Sequence, residues 1–165
     1  MKEINIRDIK ESAVGMINDG WALVSAGNEL SWNTMTVSWG ALGELWGKDV
    51  AFVFIRPQRY TYEFFEREEL FTVSFFAEEH REILKICGAK SGRDCNKAQL
   101  TGLKAEFSQG APCFEQAQYT LVCRKVAAQD LDPAGFIDEN IEKNYANKDY
   151  HRMYVGEILK VLKKD

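Results

Sequence analysis

Three groups of side chains in this chain could do chemistry. The densest is Ser31 to Gly40, SWNTMTVSWG, where Trp32 and Trp39 enclose the hydroxyl and amide groups of Asn33, Thr34, Thr36 and Ser38. Indoles stack on flat rings, and short polar side chains hydrogen-bond a ring's edge. The second group is Arg56, Arg59 and Thr61, set around Pro57. Guanidinium forks match phosphate oxygens in pairs, and a helix start adds free amides and partial positive charge. The third is Lys90, Ser91, Gly92 and Arg93, two cations around a hydroxyl and a backbone flexible enough to form an amide nest. The two histidines, His80 and His151, lie far apart in sequence, which argues against a histidine-based metal site. A polar strand with tryptophans for a ring, and two basic loops for a phosphate, suit a mononucleotide-like cofactor.

Each group also has a plainer reading. Thr and Trp are good strand formers, so Ser31–Gly40 also reads as an ordinary half-exposed strand. Arg56 and Arg59 also fit a solvated turn paired with Glu63 or Glu66, and Lys-Ser-Gly-Arg is common loop composition. A lone histidine at a strand start is more often structural.

Other chemistries lack their motifs. No G-x-x-x-x-G-K-[ST] loop is present, no G-x-G-x-x-G follows a strand, and neither G-x-S-x-G nor H-E-x-x-H occurs. Cys87, Cys95, Cys113 and Cys123 form no Cys-x-x-Cys pair, so four free thiols in a reducing cytosol and no metal are expected. The carboxylate pairs Glu68–Glu69 and Glu78–Glu79 read as solvated faces.

The elements that must position these groups follow from periodicity. A helix is expected over Asp8–Ile17, a turn at Asn18–Gly20 and a strand over Trp21–Ala26. Within Ser31–Gly40, strand alternation puts Thr34, Thr36 and Ser38 on one face and Met35, Val37 and Trp39 on the other. The polar face would line a pocket. Ala41–Asp49 is glycine-spaced and reads as a loop, and the apolar run Val50–Ile55 as a strand buried on both faces. Pro57 starts a helix over Gln58–Glu68 in which Tyr60, Phe64 and Arg67 share a face. Leu70–Phe76 is a strand, and Glu78–Cys87 a helix with Ile83, Leu84 and Cys87 inward and Gly88 closing it. Lys90–Lys97 reads as a loop, Leu100–Leu103 as a helical turn, Phe114–Ala128 as one long strand and Asp130–Asn147 as irregular. A last strand over Tyr150–Leu162 buries Met153, Val155, Ile158 and Leu159.

At 165 residues, without repeat or linker, residues 1–165 make one domain. Strands without regular helix alternation favour an antiparallel barrel with attached helices over a doubly wound sheet. A formal charge of −4 argues against nucleic acid and anionic membranes as partners. The start, MKEINIRDIKES, has no apolar core of signal-peptide length, so a cytoplasmic protein is expected. The 10 Phe, 6 Tyr and 4 Trp suit a planar ligand.

On these residues the chain resembles the flavin reductase-like proteins of the FMN-binding split barrel, most closely the flavoredoxin-type branch. The resemblance rests on NTMTVSWG at Asn33–Gly40, RPQRYTYEF at Arg56–Phe64, FTVSFF at Phe71–Phe76 and KSGRDCNK at Lys90–Lys97, in that order. HRMYVG at His151–Gly156 is similar to the family's C-terminal histidine motif, in which glycine and aspartate often precede the histidine; here Asp149 and Tyr150 do. The resemblance implies a mainly β fold with flanking helices, a six-stranded antiparallel Greek-key split barrel, and a homodimer with FMN near its interface. It sets the ring against Asn33, Thr34, Met35, Thr36 and Trp39, and a phosphate among Arg56, Arg59, Thr61, Lys90, Ser91 and Arg93. Lys90 could serve either end. It further implies hydride transfer from NADH or NADPH to the flavin, with His151 orienting the nicotinamide or polarising the flavin, and electrons leaving to free flavin, a redox protein or a small acceptor. An electron carrier without nicotinamide activity and a non-catalytic dimeric binding module fit the same motifs.

Overall fold

A computed structural model describes residues 1–165. The strands, in chain order, are β1 (Lys2–Ile4), β2 (Ala22–Asn28), β3 (Ser31–Val37), β4 (Gly40–Leu45), β5 (Lys48–Ile55), β6 (Leu70–Phe75), β7 (Ala105–Ser108), β8 (Ala111–Phe114), β9 (Tyr119–Asp130) and β10 (Arg152–Lys163). The helices are α1 (Tyr60–Arg67), α2 (Arg81–Ala89) and α3 (Lys97–Thr101). Eight strands form one sheet in the order β3-β2-β6-β9-β10-β5-β4, with β1 also on β10; β7 and β8 form a separate hairpin. Every pairing is antiparallel.

The order itself makes the sheet curl. β3 and β4 stand at opposite ends of it, yet only Ser38 and Trp39 separate them in the chain. Three Cα steps reach at most about 11 Å, so the ends are brought together as in a barrel. The two ends of β10 have different neighbours on one side: Arg152–Glu157 pair with β5, and Val161–Lys163 pair with β1.

The barrel interior is the larger core, with Val24, Met35, Val53, Ile55, Phe64, Phe65, Phe71, Leu121 and Tyr154 among its 19 buried residues. A second core of seven, including Leu23, Leu84, Cys87, Leu103 and Phe114, lies under α2 and β8. β2 therefore buries both faces, Val24 inward and Leu23 outward. Gly156 lets β10 pass close over Phe71, whose ring atom would lie 2.3 Å from a Cβ there.

Several expected elements differ. Ala41–Asp49 is not a loop: β4 pairs with β5 from Gly40↔Val53 to Leu45↔Lys48. Its turn is Trp46–Gly47, both left-handed at φ 56° and 71°, as the twist-matching two-residue hairpin turn requires. Gln109–Gly110, at φ 53° and 86°, makes the same turn between β7 and β8, so Phe114–Ala128 is the end of β8, a short link and β9 rather than one strand. The helix expected over Asp8–Ile17 is a 3-10 turn at Ile6–Asp8 and a π-helical turn at Gly15–Asp19. The Asn5 side chain caps the first turn, and Ile6, Ile9 and Met16 lie on the barrel. Gly88 does not close α2 but lies within it, where its missing side chain admits Thr36. Leu159 is 38% exposed, because the register shift between Ile158 and Lys160 turns it out of the inward set.

Candidate functional site

β3 is an edge strand, and an edge leaves alternate backbone N–H and C=O groups without a ladder partner. Thr34 O is taken instead by the Lys97 ammonium at 2.7 Å. A cavity of about 190 Å³ lies along the same strand, walled by the consecutive residues Met35 to Trp39 together with Phe54, Arg56, Arg59 and His151. Five successive residues line it regardless of parity, so the cavity meets β3 edge-on. Of the expected polar face, Thr36 and Ser38 line this cavity, whereas Thr34 is fully buried with its Oγ1 accepting from Ser25 at 2.8 Å; Thr36 Oγ1 also donates to Leu84 O of α2 at 2.5 Å.

A second cavity, about 140 Å³, is formed by the start of α1 and the loop after α2, with Asn33, Arg59, Thr61, Lys90, Ser91 and Gly92 in its walls. Arg59 lines both cavities. Its Nη2 donates to Gly88 O at 2.8 Å, and no carboxylate pairs with it. Burial, then the neighbouring Arg56, push its pKa down. Thr61 Oγ1 accepts from Asn33 Nδ2 at 2.8 Å, which holds the strand to the helix. Gly92 permits the loop to lie against this pair, since a Cβ there would sit 2.1 Å from Asn33 Oδ1.

Arg56 and Arg93, which the resemblance places among the residues around a phosphate, each make an ion pair within the chain. Arg56 donates to Asp149 at 2.7 Å and to Asn144 O at 2.9 Å, and lies 5.1 Å from the centre of the Tyr145 ring. It fastens the segment after β9 to the barrel. Arg93 pairs with Glu63 and lies over Tyr60 at 4.8 Å. Both are thus paired with carboxylates, though Arg56 pairs with Asp149 and not with Glu63 or Glu66.

His151 is buried with its ring 5.1 Å from that of Trp39, and its Nδ1 is 2.9 Å from Tyr145 Oη. Burial, then the Arg56 charge, bring its pKa down to about 4. At neutral pH it is an uncharged hydrogen-bonding group. Tyr145 and Phe136 stack at 6.0 Å, and Tyr150 packs at 4.9 Å from Tyr145, so the acidic, irregular segment carries an aromatic wall.

The residue that sequence reasoning missed is Lys97. It is buried, and its Nζ donates to Thr34 O and Cys87 O, each at 2.7 Å. Burial lowers its pKa to about 8. Lys97 borders the 140 Å³ cavity and a third, more open one of about 520 Å³ beyond it. As the last residue of KSGRDCNK it falls at the end of the stretch that reads as a loop; its place as the first residue of α3 turns it inward.

Known proteins agree with this geometry. The family described as "Flavin reductase like domain" matches residues 14–165. No sequence among curated proteins matches. Among solved structures, flavoredoxin from Methanosarcina acetivorans is similar with TM-score 0.69 at 20% identity, over 88% of this chain and 69% of that one. An FMN-binding protein from Thermus thermophilus, solved with bound 1-cyclohex-2-enone, gives TM-score 0.68 at 21% identity, over 87% and 70%. A split barrel domain from Shewanella frigidimarina NCIMB 400 gives 0.70 at 19%, over 98% and 76%. At such identities these likenesses establish the split-barrel fold.

Proposed function

Because the chain belongs to the flavin reductase like domain family, we propose that it is an FMN-binding oxidoreductase passing electrons from NADH or NADPH through flavin to free flavin, a redox protein or a small acceptor. The observation that carries this reading is the pair of cavities meeting at Arg59, a cation with no carboxylate partner. The smaller suits a phosphate, with Arg59, Lys90 and Ser91 around it and the first turn of α1 supplying amides. The other suits a flat ring, with the free edge of β3 on one side and Trp39 and His151 on the other.

A bound flavin would supply the two-electron chemistry. The chain binds, orients and shields. Backbone groups of β3 would meet the polar edge of a bound ring, and Trp39 and Phe54 would exclude water beside it. His151, neutral and fixed by Tyr145, orients a nicotinamide or polarises the ring through a hydrogen bond. Arg56 and Arg59 place positive charge by the same cavity, which favours an anionic reduced ring.

A homodimer belongs to this reading. Trp39 is 44% exposed at the ring cavity, a surface that a second subunit would cover. A cytoplasmic location is supported by four unpaired cysteines. The likeness to a flavoredoxin supports the alternative of a carrier reduced by another protein.

The test is an absorbance spectrum of purified protein with FMN, before and after anaerobic addition of NADH and then NADPH. Flavin bands that bleach establish a reductase and identify its donor. Bands that persist with both nucleotides leave the carrier, and a protein that binds no FMN is a binding module that has lost the cofactor.

A further inference from the structure

The segment between β9 and β10 reaches the ring cavity through one hydroxyl. His151 lines that cavity, and its Nδ1 lies 2.9 Å from Tyr145 Oη, both residues being buried. The carboxylate nearest in sequence does not orient the imidazole, because Asp149 Oδ2 accepts from Arg56 and Gln58. The Trp39 ring packs at 5.1 Å and Arg56 supplies a nearby charge, but Tyr145 is the group that bonds the ring.

A phenol and a neutral imidazole can share a hydrogen in two ways, and the choice decides what the other ring nitrogen offers. Were Nδ1–H to donate, the hydrogen of Tyr145 would be left buried without an acceptor, since Oη bonds nothing else. A buried donor without a partner is strongly unfavourable. Burial also pushes the Tyr145 pKa up, which keeps it a phenol. Tyr145 therefore donates, and the imidazole hydrogen is on Nε2. That atom bonds nothing in the chain, and it is not sealed off: Asp149 Oδ1 is the only fully buried side-chain oxygen or nitrogen without a partner.

We propose that Tyr145 is a positioning residue that fixes His151 as the Nε2–H tautomer, so that the ring cavity presents a hydrogen-bond donor and takes a ligand with a bare acceptor atom there, a carbonyl or carboxamide oxygen. The ligand half of this rests on the flavin reading above; the tautomer does not. A carboxylate at Nδ1 would accept a hydrogen there, leave Nε2 bare and make the ring more basic. A phenol instead leaves a neutral donor, which polarises an oxygen and takes no proton from the ligand. Tyr145 is itself held in place, stacked on Phe136 at 6.0 Å, packed by Tyr150 at 4.9 Å and covered by Arg56 at 5.1 Å.

With only two histidines in the chain, the tautomer is directly readable. Full-length protein labelled with ¹⁵N-histidine is observed at pH 7 by long-range proton–nitrogen spectra, with and without FMN, and His151→Gln identifies the His151 signals. Wild type is expected to show a bare Nδ1 and a protonated Nε2 even without flavin. Tyr145→Phe keeps the aromatic packing and removes the hydroxyl; it is expected to leave His151 a mixture of both tautomers, with far-ultraviolet circular dichroism unchanged. In FMN-loaded protein acetophenone should shift the Nε2–H signal, whereas α-methylstyrene, with CH₂ in place of the oxygen, should not. Tyr145→Phe should weaken acetophenone binding by about twofold, as follows when the donor tautomer is populated half the time, and leave α-methylstyrene unchanged. Wild-type His151 with a bare Nε2 overturns the proposal, as does an unchanged tautomer in Tyr145→Phe. An Nε2–H signal that bound acetophenone does not move overturns the assignment to an acceptor atom. If Tyr145→Phe does not fold, the wild-type spectra still decide. If FMN does not bind, the flavin reading falls, while the tautomer stands or falls on the flavin-free spectra.

Discussion

Lys97 holds its charge between two carbonyl oxygens, with burial bringing its pKa to about 8. It is protonated at pH 7 and loses its proton as pH rises through 8. A phosphate beside it stabilises the protonated form, so FMN affinity is highest below pH 8 and falls above it, by about fivefold from pH 7 to 9.5. Riboflavin, lacking the phosphate, should show a flat profile over the same window; equal slopes for the two would remove Lys97 from phosphate binding. Arg56 and Arg59 separate in the same way. Arg59→Ala should weaken FMN binding by about 1.5–3 kcal/mol, the range for a charge-assisted hydrogen bond. Arg56→Ala should weaken FMN binding less than Arg59→Ala does, and should speed amide exchange over residues 131–150, since Asp149 and Asn144 O are what its guanidinium bonds. For His151, burial lowers the folded pKa from 6.5 to about 4. Between those values the unfolded chain takes up a proton that the folded one does not, so stability falls as pH drops from 6.5 toward 4. Thermal melting of wild type and His151→Gln should converge across that window.

The site depends on elements approaching closely, and Gly92 is where the approach is tightest. Gly92→Ala would set a methyl group 2.1 Å from Asn33 Oδ1, forcing the loop off β3 and breaking the Asn33–Thr61 bond or displacing Lys90 and Ser91. The expected loss is roughly tenfold in FMN affinity with a modest fall in melting temperature. Measured affinities for FMN and riboflavin distinguish phosphate loss from ring loss. Much of this was legible in the sequence. Arg59, Thr61, Lys90 and Ser91, residue types that suit a phosphate, line one cavity. The Ser31–Val37 strand follows from its β-branched and aromatic residues. What parity could not tell was how a ligand space meets that strand. Side-chain alternation describes faces, and here the cavity meets an edge, which depends on strand order. β4 was hidden because its glycines resemble a loop, while its pairing is set by a two-residue turn whose left-handed Trp46 carries no asparagine signature. Lys97 was hidden because the start of a five-residue helix, not its composition, turns it inward.

The whole molecule sequesters its reactive groups. Burial raises the thiol pKa of Cys87 and Cys113 to about 11 and that of Cys123 further still. One thiol, Cys95, should therefore react rapidly with a thiol reagent in the native protein, and four in denaturant. More than one rapid thiol would mean that the second core under α2 opens in the native state. The joining of β3 to β4 by two residues has a kinetic consequence. Thr36 comes from one end of the strand order, and Phe54, with His151 at the head of β10, from the other. None of the ring cavity exists until these ends meet, and such pairings between distant parts of a chain form slowly. When the protein refolds with FMN present, quenching of flavin fluorescence should lag the far-ultraviolet circular dichroism of the sheet, because the cofactor recognises only the closed barrel.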